Sequence, residues 1–133
     1  MAQLIRDRDT KRRDGRLFSL PVAGGVRIFS GSIVCLNSTG YAVPAMAEGD
    51  LKFPALALQT VDNREGADGE ALVPTERITV GLDYAVDVTR ATIGQTVYLA
   101  DDHTVTAVAT DMSPAGLLVD IQDGQAWVDL TRA

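Results

Sequence analysis

The sequence predicts a mainly β protein: a small barrel- or sandwich-like body of short strands, preceded by an extended N-terminal arm. Three observations predict this. Short runs rich in Val, Ile, Leu and Thr recur along the chain, broken by Gly, Pro, Asn and Asp turns at a spacing of about 8–12 residues. No segment sustains the 3.6-residue apolar period of an amphipathic helix. Residues 1–16 carry half of the positive charge and almost no apolar side chains able to build a core.

Taken in order, RLFSLPV (16–22) reads as an edge strand, with Pro21 limiting its pairing. VRIF (26–29) and SIVCL (32–36) flank a tight Ser30-Gly31 connection, and Asn37 to Gly40 is turn chemistry before YAVPA resumes extended structure. FPALALQT (53–60) has the composition of a buried strand. DNREGADGE (62–70) reads as an exposed loop, followed by strands at ERITVGL (76–82) and YAVDV (84–88). Thr89 to Gly94 suits one helical turn, with Thr89 as N-cap. TVYLA (96–100) and TVTAVAT (104–110) form a hairpin around Asp101-Asp102-His103. GLLVDIQ (116–122) and QAWVDL (125–130) flank Asp123-Gly124, the strongest hairpin signal, since both central residues of a type I′ turn need positive φ. The organisation is thus a basic arm, 1–16, and a single β-rich domain, 17–133.

A chain of 133 residues buries roughly two-thirds of its unfolded surface, so it needs no metal or disulfide to hold a core. Hydrophobic residues make up 46% but aromatics only 5%, which favours small β-branched interiors over an aromatic-lined ligand pocket. Arg6, Arg8, Lys11, Arg12, Arg13 and Arg16 outweigh Asp7, Asp9 and Asp14, giving the arm +3 and the rest of the chain −9, for a net charge of −6. An acidic body argues against general nucleic-acid binding, where phosphate contacts dominate affinity. The single Cys35, in the apolar run SIVCL, reads as a small buried hydrophobe in a reducing compartment. Charges at the N-terminus where a signal peptide would be apolar, and no run near the roughly 20 apolar residues of a membrane span, predict a soluble, non-secreted chain.

Catalytic chemistry is sparse. His103 is the only histidine, and with Asp101 and Asp102 it sits at an expected hairpin tip, so a polar turn outweighs a hydrolytic or metal centre. The acidic residues of 62–70 lack the alternating ligand spacing of a calcium loop, and Arg64 interrupts them. Ala23-Gly24-Gly25 lacks the Lys-Ser/Thr of a phosphate loop. Trp127 reads as a core residue ahead of an interface anchor. No enzyme, cofactor, metal or small-molecule substrate is expected. On charge alone the arm divides evenly between a solvated tail and a clamp for carboxylates or phosphates.

The order of motifs resembles the capsid cement (head decoration) proteins of tailed bacteriophages and prophages, particularly those of Mu-like and related siphophage heads. The stretches that carry it are DRDTKRRDGRLFSLPVAGGVRIFSGSIVCLNSTGYAVPA (7–45), VDNREGADGE (61–70), TIGQTVYLADDHTVTA (92–107) and GQAWVDL (124–130), together most of the chain. The resemblance implies a β-rich body, a homotrimer seated on the outer surface of an expanded capsid, and no catalytic site. It implies the major capsid protein as partner and a virion location after synthesis in the host bacterial cytoplasm. It places Arg6, Arg8, Lys11, Arg12, Arg13 and Arg16 in the capsid-binding segment as a region rather than residue by residue. The alternative expectation is a phage tail or baseplate β-domain that binds a protein or a glycan.

Overall fold

The computed structural model describes residues 1–13 and 15–133. It is mainly β, as the sequence predicts, with twelve strands and only two single-turn 3₁₀ segments, Arg90–Thr92 and Leu130–Arg132, among the described residues. The strands form two units. The first contains β1 (Leu17–Pro21), β3 (Ile33–Leu36), β4 (Ala42–Pro44), β5 (Lys52–Ala57) and β7 (Leu72–Glu76), in the order β1-β7-β5-β3-β4. A single parallel bridge, Val22 to Ala42, joins the two ends of this sheet, so it curls into a barrel left open beside β1. The short pair β2 (Arg27–Ile28) and β6 (Val61–Asp62) supplies Ile28 and Val61 to its interior. The second unit is a closed five-stranded barrel in the order β10-β8-β12-β11-β9. Its strands are β8 (Thr79–Tyr84), β9 (Thr96–Leu99), β10 (Thr104–Thr106), β11 (Pro114–Gln122) and β12 (Gln125–Asp129).

Strand alternation sorts the side chains of the first unit. Leu20, Val34, Ala42, Ala55, Ala57 and Val73 face one interior, with Phe18 and Phe53 closing it. The opposite face of β3, β4 and β5 presents Ile33, Cys35, Val43 and Leu56 to the closed barrel, whose Val80, Leu82, Val97, Leu99, Leu118 and Val128 belong to the same cluster. The two barrels therefore share a core and form one body. Arg77, at the corner between β7 and β8, ties them together. Its Nε donates to the Pro54 carbonyl at 3.0 Å and its Nη2 to the Leu130 carbonyl at 2.8 Å.

Several elements form as read. β1 ends its sheet, β9 and β10 make the hairpin around residues 101–103, and Thr92 Oγ1 accepts from the Thr89 amide to cap the predicted turn. Asp123 and Gly124 take φ of 56° and 74°, the pair of positive values a type I′ turn requires. Gly116 is also obligatory, because a Cβ there would collide with the Asp129 backbone carbonyl across the β11–β12 pair.

Other elements differ, each for a local reason. β7 was not foreseen because Pro74 interrupts it. The proline is tolerated because the β5–β7 pairing ends at Ala57 and Thr75, so no ladder bond is lost, while the Pro74 carbonyl still accepts from Leu58 N at 2.9 Å. The expected strand 76–82 is split at Arg77, and 84–88 is a turn rather than a strand. The Asp87 carboxylate accepts from Thr106 Oγ1 at 2.7 Å and Ala107 N at 3.2 Å. That side chain takes the place of a ladder partner and also stops β10 at Thr106, short of the predicted Thr110. VRIF and SIVCL do not pair with each other: β2 pairs with β6, and β3 with β4 and β5. Trp127 is not in the core. It lies opposite Gly81 on the outer face of the closed barrel, half-buried, its Nε1 donating to the Gln122 carbonyl at 3.3 Å.

Candidate functional site: the N-terminal arm and the β1 edge

The arm leaves the body at the open side of the first barrel. Residues 1–13 are exposed throughout and form no helix or strand, as expected of a segment too polar to bury surface by itself. Arg6, Arg8, Lys11 and Arg12 form no ion pair among the described residues, so their charges face solvent. Arg13 places its guanidinium 5.8 Å from the Phe18 ring, a cation–π contact at the root of the arm. Arg16 is exposed, and its carbonyl accepts from Arg77 N at 2.8 Å, which starts the β1–β7 ladder. The sequence-predicted basic residues thus share one exposed segment.

Sequence reasoning missed what anchors that segment. Phe18 meets Phe53 edge-on at 5.0 Å between ring centroids, and the Arg77 guanidinium lies 4.2 Å over Phe53. Arg13, Phe18, Phe53 and Arg77 form a continuous stack from the arm to the joint between the barrels. Phe53 holds its place through a positive φ of 60° at the β3–β5 register shift. Nothing in sequence spacing marks such a bulge; alternation alone placed Phe18 and Phe53 in strands without their contact.

The acidic loop 62–70 packs onto the far end of β1. Asp68 Oδ1 accepts from Gly24 N at 2.7 Å, and Gly69 N donates to the Val22 carbonyl at 2.9 Å. Asn63, expected to be solvated, is buried; its Nδ2 donates to the carbonyls of Val22, Ala23 and Ala67. Arg64 grips Asp62 at 2.8 Å and holds that carboxyl at about 2. Glu65, Asp68 and Glu70 are left without a basic partner among the described residues.

Asp101, Asp102 and His103 do converge. His103 Nδ1 lies 2.9 Å from Asp102 and 3.1 Å from Asp101, with Asp83 4.0 Å from Nε2. Hydrogen bonding to Asp102, with the charge of Asp101, raises the His103 pKa. The group sits on the turn between β9 and β10, with His103 exposed and Asp101 and Asp102 half-buried, which suits a polar tip. Cys35 is fully buried, and burial pushes its thiol to about 12, far from nucleophilic at neutral pH. Tyr41, Tyr84, Tyr98 and Trp127 are all half-buried and offer no exposed aromatic platform. No helix among the described residues is long and apolar enough to cross a membrane. No protein-family model, curated protein or solved structure matches the chain.

Proposed function

We propose that the protein is a non-enzymatic virion structural protein, a capsid cement (decoration) protein that binds the outer surface of an expanded phage head and stabilises it. The N-terminal arm contacts the major capsid protein, and the body seats as a homotrimer. The observation that carries this reading is the exposed basic arm projecting from the edge strand of an acidic β body. An arm of this kind orders only on a surface, wrapping it at an entropic cost. Many copies on a repeating shell offset weak single-site affinity, and three arms around one axis raise the effective concentration of each. Arg6, Arg8, Lys11, Arg12 and Arg13 supply planar or point-charge donors to carboxylates of the shell. The motif order in 7–45, 61–70, 92–107 and 124–130 supports the same reading. The buried free thiol of Cys35 suits synthesis in a host cytoplasm.

The test is to mix the purified protein with expanded capsids that lack it, beside a form without residues 2–13. Stoichiometric binding of the full chain and a large loss on truncation are expected. Failure of the full chain to bind would sink the proposal. Equal binding by the truncated form would remove the arm from it, and a glycan-array signal without shell binding would replace it with receptor recognition.

A further inference from the structure

The free edge of β1 is short and unguarded. Arg77 N bonds to the Arg16 carbonyl and Val22 N to the Ala71 carbonyl, with Phe18 opposite Thr75 and Leu20 opposite Val73 between them. Antiparallel ladders alternate, so the even-numbered residues face β7 and the amides and carbonyls of Leu17 and Ser19 face away from it. Among the described residues no strand pairs with Leu17 or Ser19 on that side, because β1 ends its sheet and β4 reaches the chain only at the Val22–Ala42 bridge. At Pro21 the edge closes: proline has no N–H, and the Val22–Ala42 bridge begins. Leu17-Phe18-Ser19 therefore offers four backbone groups, with no charge, proline or bulge inside these three residues to protect them.

The two ends of this edge carry opposite charge. Arg12, Arg13 and Arg16 precede it. Beyond its far end lies the 62–70 loop, fixed there by the Asp68–Gly24 and Gly69–Val22 bonds, with Glu65, Asp68 and Glu70 in excess over the single, already engaged Arg64. A strand laid antiparallel along this edge must present the reverse polarity, acidic where β1 is basic and basic where it is acidic. A second copy of the same edge does so.

We infer that two copies of the free protein pair through the Leu17–Ser19 edge of β1 about a two-fold axis at Phe18, with each basic arm root on the other's 62–70 loop. The arrangement is isologous. Leu17 of one copy lies opposite Ser19 of the other, and both backbone groups of each are satisfied. Arg13 and Arg12 come level with the other copy's Ala23 and Gly24, the segment on which Asp68 sits. Pairing removes the one open strand edge beside the arm. The inference concerns the free chain and stands apart from the three-fold proposed on the shell.

Sedimentation of the full chain tests it. A two-chain mass is expected at low salt, falling towards one chain at high salt as the exposed charges are screened. Ser19→Pro removes an outward amide without touching the β7 ladder, and it should give a one-chain mass with an unchanged circular dichroism spectrum. A charge exchange needs no proline. Arg12→Glu with Arg13→Glu, and separately Glu65→Lys with Glu70→Lys, should each give one-chain masses, and mixing these two variants should restore the two-chain mass. A one-chain or three-chain mass for the full chain at low salt would overturn the inference. So would a folded Ser19→Pro variant that keeps the two-chain mass, or a mixture of the charge variants that fails to pair.

Discussion

The two barrels solve the same problem differently. Every strand of the β8–β12 barrel has two neighbours, so no edge is left to pair with anything else. The β1–β7 barrel closes at one bridge only, and beside that gap lie the free groups of β1, the root of the arm and exposed Leu17 and Leu72, 52% and 59% accessible. Both units bury a core and both expose some apolar side chains; what sets the open unit apart is a strand edge with free backbone groups. The difference puts the strands without a free edge on one side of the molecule and the open edge with the arm on the other.

The largest effect should come from the closed barrel. Leu118 is fully buried, and Leu118→Ala should cost about 2–5 kcal/mol in urea unfolding, whereas Leu17→Ala at the open edge should change stability by under about 0.5 kcal/mol. Equal costs would abolish the contrast. Next is the joint: Arg77→Met leaves the Pro54 and Leu130 carbonyls without their donors and should cost about 2–3 kcal/mol by the same measurement. A non-two-state transition in that variant would sharpen the picture to two semi-independent barrels. Asn63→Ala removes a buried donor to three carbonyls beneath the acidic loop and orphans that of Ala23, since Val22 and Ala67 keep the amides of Gly69 and Glu70, and it should cost about 1–2 kcal/mol.

Cys35 should react with a thiol reagent only at the rate of unfolding, because burial holds it protonated. The smallest effect is from His103. Its folded pKa is raised above 6.5, so its contribution is complete below 6.5 and is lost as pH rises through the folded value. Melting temperatures of the wild type and His103→Gln should therefore differ slightly at pH 5 and converge at high pH. A gap that widens with pH would contradict the Asp102 and Asp101 contacts.

Much of the fold is legible in the sequence because it is local. Asp123-Gly124 announces its turn, and Thr89 and Gly94 bracket theirs. What escaped is non-local. Pro74 looks like a strand breaker until the shortness of the β5–β7 pairing is known. Asp87 ends two strands by reaching 19 residues along the chain to Thr106. Alternation put Trp127 beside buried Ala126 and Val128 without saying which face was inside. The candidate site was legible as charge: the arm's composition marks it as exposed. Its anchor was not, because the Arg13–Phe18–Phe53–Arg77 stack joins four positions that only the closed register brings together.

Hydrogen exchange on the protein, free and bound to expanded capsids, tests the division of roles most directly. New protection confined to the arm, residues 1–16, with β8–β12 unchanged, is the predicted result. Protection appearing across β8–β12 while the arm exchanges as fast as a free chain would contradict it.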